Sequence, residues 1–342
     1  MQGELTIYNK EKRLVLFETN SNLQNKFIFV GGLTDGFLAL PYLNYLQETV
    51  FKFNYSLVQP LLSSSYLGYG NVNLDNDVKE LDDLISFLVN KKLKNKKISS
   101  YNIILMGHST GAQDAMYYAK YGKYKNILSG IILQGAVSDR EYALYSKGKN
   151  ILENEIKIAR ELVSKGKGQY FMPPEVDDAP ITANRFLSLN DVDGTDDMFS
   201  TDLSNEKLGK VFLDLDFKEG KHKKYVNCPI FLISSGGDEY VPRNIDLLKH
   251  TKRMQNLAIL KNWSKDKYIE KKKDCELKSD KNKSNYSLDL LKSINLENIF
   301  INTESAIEVA LFIPNAKHAI EKKIEQDQLM EIIQLLLKKI EN

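Results

Sequence analysis

The sequence predicts an α/β protein in which a mostly parallel sheet is covered by helices on both faces and is interrupted by a helical insertion. Three observations carry this prediction. Short apolar runs recur along the chain with helical stretches between them. At residues 102–120 an apolar run, a glycine-flanked turn and a helical pattern follow one another in strand, turn, helix order. Between two of the core strands lies a stretch of some eighty residues, from Ser138 to about Lys223, with helical patterning and no evident sheet strand.

In chain order, Leu5-Thr6-Ile7-Tyr8 and Leu14-Val15-Leu16-Phe17 flank the polar Asn9-Lys10-Glu11-Lys12 and read as an opening antiparallel hairpin. Phe27-Ile28-Phe29-Val30 reads as a buried strand from its β-branched and aromatic content, and it ends in Gly31-Gly32. A helix is expected around Leu38 to Val50 and a strand at Tyr55-Ser56-Leu57-Val58. Leu74, Val78, Leu81, Leu84, Ile85 and Leu88 recur at helical spacing and predict a helix from Leu74 to Lys92. Asn102-Ile103-Ile104-Leu105-Met106 is the next strand, followed after a turn by the helical Ala112 to Lys120. Gly130 to Gly135, Pro229 to Ser234 and Val309 to Ile313 supply three more strands. Ile320 to Ile340, with Ile324, Leu329, Ile332, Ile333 and Leu336 as its apolar set, closes the chain as an amphipathic helix.

Two stretches break this rhythm. The insertion from Ser138 to about Lys223 has a long helical pattern near Ile151 to Val163, then Pro173-Pro174 and Asp196-Asp197. Ligands of open α/β sheets bind beyond the strand C-termini, so an insertion there reads as a cap over the cleft; a separate helical unit is the alternative. The second break, roughly 264–284, interleaves lysines with Asp266, Glu270, Asp274, Glu276 and Asp280, so its field largely cancels. It reads as a solvated mobile loop in preference to a polybasic membrane or nucleic-acid contact. The expected organisation is a first core part at 1–137, the cap at 138–223 and a second core part at 224–342 carrying that loop.

Bulk properties exclude more than they assign. The 342 residues can bury a large core, as one α/β domain with an insertion or as two, and one is favoured. Hydrophobic content of 42%, charged content of 27% and a net charge of +2 give no electrostatic reason to expect nucleic acid. Cys228 opens an apolar strand and Cys275 lies in the charged tract, so no disulfide framework is implied and a reducing compartment is the simpler expectation. The first residues lack the apolar stretch of a secretory signal, and no run approaches the roughly 18 apolar residues of a membrane span. A soluble cytoplasmic protein is the resulting expectation.

Gly107-His108-Ser109-Thr110-Gly111, between a strand and a helix, has the form of a nucleophile elbow. A serine on such a turn presents its hydroxyl to a cleft, and flanking glycines leave room for the sharp backbone. A serine hydroxyl needs a base, normally histidine, and the histidine needs an orienting acid. Four histidines make the base an elimination problem. His108 sits inside the elbow and is expected to pack beneath it. His222, among Lys221, Lys223 and Lys224, is expected to be exposed, and His250 falls on a helix expected from Asn244 to Leu257. His318 remains, in a loop after the last strand and before the final helix, where it would point into the same cleft as the elbow. For the acid, Asp238 follows the preceding strand in Gly236-Gly237-Asp238-Glu239, with Glu239 and Asp139 as competitors. The order serine, acid, histidine suits this architecture.

The oxyanion formed on attack needs preorganised donors. One is expected from the Thr110 N–H and the other from Leu33 N–H, in the loop Gly31-Gly32-Leu33-Thr34-Asp35-Gly36. That loop lacks the Lys-Ser/Thr ending of a P-loop and the spacing of a dinucleotide site, so a phosphate cradle is disfavoured.

With these residues in place the chain resembles the α/β-hydrolase superfamily, and more narrowly a little-characterised eukaryotic family that includes fungal siderophore esterases. The resemblance is carried by the Gly31–Gly36 loop, the Ser109 elbow, Leu133-Gln134-Gly135-Ala136-Val137-Ser138-Asp139-Arg140-Glu141, Pro180-Ile181-Thr182-Ala183-Asn184-Arg185, 196–203 and Gly236-Gly237-Asp238-Glu239. It spans nearly the whole chain outside the lysine-rich insertion. It implies a fold of about eight strands with a cap, and hydrolysis of an ester, which in the siderophore esterases is a cyclic hydroxamate ester.

The expected activity is therefore that of a carboxylic-ester hydrolase acting on a small-molecule ester, with Ser109, His318 and Asp238 as triad and no metal or organic cofactor. A thioesterase, amidase or peptidase could use the same residues. A ligand-binding protein that keeps the fold without catalysis is the rival from another class.

Overall fold

The computed structural model describes residues 1–93, 101–263 and 299–341. Both predicted hairpin strands form, as β1 (Glu4–Asn9) and β2 (Leu14–Glu18), and pair antiparallel across the polar turn. The buried strand and its successors follow as β3 (Asn25–Val30), α1 (Leu43–Phe51), β4 (Tyr55–Pro60), α2 (Leu74–Leu93), β5 (Ile103–His108), α3 (Thr110–Tyr121) and β6 (Leu128–Gln134). The insertion carries α4 (Asp139–Lys147), α5 (Lys149–Ser164), α6 (Ala183–Asn190), α7 (Asn205–Phe212), β7 (Leu213–Asp216) and β8 (Lys221–Lys224). The chain then returns through β9 (Ile230–Ser235), α8 (Leu247–Leu257), β10 (Ile299–Ile301), β11 (Ile307–Ile313) and a last helix, α9 (Lys323–Glu341).

Among the described residues nine strands form one sheet in the order β1-β2-β4-β3-β5-β6-β9-β11-β10. From β4 to β11 every neighbouring pair is parallel, and the antiparallel pairs lie at the two edges. Parallel strands need crossovers, and those crossovers bury both faces. The side chains show it by alternation: Ile28 and Val30, Ile103 and Leu105, and Ile131 and Leu133 pack with α2, α3 and α8. Phe27 and Phe29, Ile104 and Met106, and Ile132 pack on the opposite face with α1 and α9. Both sets are apolar because both faces are dry.

Helices α5 and α6 gather their apolar residues into a third cluster, including Leu152, Ala159, Phe186 and Leu189. That cluster is tied to the core through Arg185, which is 5% exposed. Its guanidinium spans both carboxylate oxygens of Asp196 at 2.7 Å and donates to the Tyr69 carbonyl at 2.9 Å. The later part of the insertion joins the main core, since Leu208, Phe212, Leu213 and Leu215 belong to the α2–α3–α8 cluster.

Several boundaries differ from the sequence expectation. Helix α1 begins at Leu43, five residues late, because Leu38 has φ 60° and Leu40 precedes Pro41, which disfavours helical backbone before it. Ile320, with φ 50°, likewise stays outside α9. The insertion contains a two-stranded ribbon, β7–β8, with His222 in it. His222 is half-buried, its ring 5.2 Å from that of Phe217, and not exposed as its lysine neighbours suggested. The short edge strand β10 has only three residues, too few to carry a period. The lysine-rich tract and Cys275 lie outside the described residues, and Cys228 is a free thiol.

Candidate active site

The backbone at Ser109 has φ 55° and ψ −125°, an unfavourable conformation for a residue with a side chain. It is held from both sides. The Ser109 N–H donates to the Gln134 carbonyl at 2.9 Å, and the Ser109 carbonyl accepts from Ala112 N–H at 2.8 Å as α3 begins. Gly111 makes the turn possible: a Cβ there would lie 2.4 Å from the Val30 carbonyl oxygen and 2.6 Å from that of Gly31. Strand β3 and helix α3 therefore meet backbone to backbone, bringing the Gly31–Gly36 loop beside the elbow.

That loop is braced by its own aspartate. Asp35 Oδ2 accepts the Gly32 N–H at 2.8 Å, while the Asp35 N–H donates to the Gly32 carbonyl at 3.1 Å. Burial raises the Asp35 carboxyl above its ordinary range, against the Gly32 bond, which lowers it. Leu33 and Thr110 line one cleft with Gly32, Tyr69, Asp77 and Arg185. Among the described residues the main-chain N–H groups of Leu33 and Thr110 have no protein acceptor, and Thr110 stands at the N-terminus of α3, where such donors are left over.

His318 lies in the turn between β11 and α9 and is only 6% exposed. Its Nδ1 is 2.6 Å from Asp238 Oδ2, and the other carboxylate oxygen of Asp238 accepts the Tyr240 N–H at 3.0 Å. The two loops meet because Gly236 and Gly237 can lie flat on 314–316. Gly236 N–H donates to the Ile313 carbonyl at 2.7 Å and Gly237 N–H to that of Ala316 at 2.9 Å, and a Cβ on Gly236 would sit 2.4 Å from the Pro314 oxygen. Of the competing acids, Asp139 bonds Gln113 at 2.7 Å and burial raises it to about 6. Glu239 accepts the His318 main-chain N–H at 3.1 Å, so it holds the loop rather than the ring.

Other neighbours of His318 carry no signal in the sequence. The His108 ring packs 4.7 Å from it, and the Tyr240 ring lies 4.7 Å away on a T-shaped contact. Tyr240 also meets Tyr142 of α4 at 5.0 Å, which links the insertion to the histidine. His108 is pushed down to about 3, first by burial and then by the nearby His318, so it stays neutral. His250 is buried on α8 and donates from Nε2 to the Phe199 carbonyl at 2.9 Å. Among the described residues the Ser109 hydroxyl makes no hydrogen bond, and no group of three or more His, Cys, Asp or Glu is arranged to hold a metal ion. No described helix is long and apolar enough to cross a membrane.

A serine on a strained turn at the C-terminal end of a central strand, in a sheet of this order, defines the class: this is an α/β-hydrolase-fold protein. Its chain belongs to the family described as "Protein of unknown function (DUF1749)", whose pattern matches residues 1–296. Among solved structures it is similar to "Siderophore hydrolase EstB from Aspergillus fumigatus", with a TM-score of 0.70 and 24% identity over 99% of this chain and 97% of the other. A relative from Schizosaccharomyces pombe, "UPF0613 protein PB24D3.06c", is 32% identical over 70% of this chain and 79% of its own. "Fusarinine C esterase sidJ" of Aspergillus fumigatus is 28% identical over 70% of this chain and 79% of its own. "Esterase AN6793" of Emericella nidulans is 28% identical over 68% and 75%.

Proposed function

We propose that this protein is a serine carboxylic-ester hydrolase working through an acyl-enzyme. The observation that carries the reading is the 2.6 Å contact between His318 Nδ1 and Asp238 Oδ2, formed beyond the C-terminal ends of the parallel strands, where Ser109 also lies with φ 55°. With Nδ1–H donated to the carboxylate, His318 Nε2 is the lone-pair nitrogen, the tautomer a general base requires.

In the proposed cycle Ser109 Oγ attacks the ester carbonyl carbon as His318 Nε2 takes the hydroxyl proton. The negative charge passes to the carbonyl oxygen, where the Leu33 and Thr110 N–H groups receive it; each such donor is typically worth about 2.7–4 kcal/mol. Collapse breaks the bond to the alcohol, which leaves with the proton from His318. Water, deprotonated by the same imidazole, then attacks the acyl-Ser109 carbonyl, and collapse breaks the bond to Ser109 Oγ, which takes the proton back from His318 as the acid is released. Catalytic hydrogen bonds often shorten only with substrate present, which accommodates the unbonded Ser109 hydroxyl.

An ester as scissile bond is supported by relatives named as esterases, one of them for fusarinine C, and a siderophore-type hydroxamate ester is the first substrate to try. The insertion helices α4 to α7, which reach Tyr240 through Tyr142, are the cap that would select it in this reading. Labelling by a fluorophosphonate tests the nucleophile: Ser109 is expected to be modified in the wild type, with labelling lost in Ser109→Ala and strongly slowed in His318→Ala. Equal labelling of wild type and Ser109→Ala would overturn the reading.

A further inference from the structure

Gln134, the last residue of β6, is wholly buried and touches the main chain of both Ser109 and His318. Its carbonyl accepts the Ser109 N–H at 2.9 Å. Its side-chain Nε2 donates to the His318 carbonyl at 3.0 Å. The orientation of the amide follows from chemistry, because a main-chain carbonyl only accepts, so the nitrogen must face His318 and Oε1 must face the other way.

On that other side Oε1 accepts two donors, the Tyr42 hydroxyl at 3.0 Å and His108 Nδ1–H at 2.5 Å. Tyr42 is fully buried, and the His108 ring packs against that of His318. Both ends of the Gln134 amide are thus hydrogen-bonded, which fixes its orientation. A buried network of this kind favours one geometry. Residues 134 and 318 are 184 positions apart, and β6, which ends at Gln134, and β11, which leads into the His318 turn, are separated in the sheet by β9. The amide therefore spans a gap that strand pairing does not bridge.

We propose that Gln134 is a positioning residue that sets the spacing between Ser109 and His318, with Tyr42 and His108 locking its amide. The proposal rests on the reading of Ser109 as nucleophile and His318 as base. Among the described residues no hydrogen bond joins Gln134 to the Ser109 hydroxyl or the His318 imidazole, so it acts through the backbone of each. It explains why an uncharged, flexible polar side chain occupies a completely dry position at the end of a central strand.

The test is Gln134→Met, which keeps length and volume and removes all three side-chain bonds. Fluorophosphonate labelling to completion counts the competent sites, and ester hydrolysis is expressed per labelled site. A misplacement of the order of 1 Å can cost about 100-fold, so kcat per labelled site is expected to fall at least about tenfold, with KM within about twofold. The rate of labelling should fall in parallel. A merely structural role would lower the melting temperature and the number of labelled sites while leaving kcat per site unchanged, and that result would overturn the proposal. If Gln134→Met does not fold, Gln134→Asn is read the same way, since it keeps the amide but cannot span both sides. Absence of Ser109 labelling in the wild type would instead remove the underlying catalytic reading, so the two failures are distinguishable.

Discussion

His318 Nδ1 lies 2.6 Å from Asp238 Oδ2, and the Asp238 side chain is closed to solvent. The contact joins residues 80 positions apart through two loops that neither strand would bring together alone. Under the proposed mechanism, Asp238→Asn offers Nδ1 an amide in place of an obligate acceptor and inverts the ring tautomer. The expected loss in kcat is about 10⁴-fold, as for the same change in serine proteases, with a melting temperature near that of the wild type. Steady-state ester hydrolysis beside thermal unfolding checks this; a kcat within about tenfold of wild type would exclude Asp238 as the orienting acid.

Gly111→Ala tests the backbone contact under the elbow. Its Cβ would meet the Val30 carbonyl oxygen at 2.4 Å, so β3 and α3 must separate. Overpacking of this kind costs about 1–3 kcal/mol, and the shift would displace the Gly31–Gly36 loop as well as Ser109. Urea denaturation should report the lost stability and fluorophosphonate labelling the displaced serine. Unchanged values of both would argue that the elbow has more room than its geometry indicates.

Asp139 supplies a pH signature. Burial raises its carboxyl from 3.8 to about 6, so between those values the folded protein binds a proton that the unfolded chain has released. Its contribution to stability is therefore present below about pH 4 and is lost as pH rises through about 6. Asp139→Asn keeps an acceptor for Gln113 and removes the titration. The stability of the variant relative to wild type should rise from pH 4 to pH 7, by up to about 3 kcal/mol for a shift of this size. Paired denaturation curves at the two pH values measure it; a pH-independent difference would show that Asp139 is ionised throughout.

Buried His108 and His250 act in the opposite sense. Burial is the main cause that lowers them to about 3 and about 4, so the unfolded chain takes up protons below the ordinary histidine value of 6.5 while the folded chain does not. Stability from this source is lost as pH falls from about 6.5 towards 4. His250→Gln should flatten that acid limb in a series of urea denaturations, and an unaltered slope would show that His250 is protonated when folded.

Arg185 holds the α6 cluster to the core. Arg185→Met would leave Asp196 buried without a counter-charge, beside Asp77 and Asp114, whose carboxyls burial already raises. Breaking one side of a buried pair costs about 3–5 kcal/mol. Equilibrium unfolding of the single variant and of Arg185→Met with Asp196→Leu would separate pair from packing, the double variant recovering part of the loss.

The strands and helices were readable because their signals are local. Apolar runs such as Phe27–Val30 and the 3.6-residue recurrence from Leu74 to Leu88 express burial over a few residues, whichever partner covers them. The elbow was readable for a similar reason, since strand, turn and helix are contiguous at Ser109. The ribbon β7–β8 escaped because each strand has only four residues, β8 is wholly basic, and the buried Leu213 and Leu215 of β7 are too few to carry a period. The roles of Gln134, Tyr42 and Glu239 around His318 also escaped, because nothing in an isolated glutamine, tyrosine or glutamate marks it as a partner of a residue far along the chain.

Reading residues in order was enough for an α/β class with an insertion, and for placing a serine, acids and a histidine at strand ends. It favoured Asp238 over Glu239 and Asp139 from position alone, without the contacts that separate these three acids, which lie beyond the ends of β9 and β6 and all come near the His318 loop. Those contacts come from folding. The Gly236–Gly237 turn lies directly on 314–316 and brings Asp238 to the imidazole, Glu239 turns to the His318 N–H, and Asp139 is held by Gln113. Sequence patterns report how each residue meets water and its near neighbours, whereas hydrogen-bond partners across 80 or 184 positions depend on where packed loops come to rest.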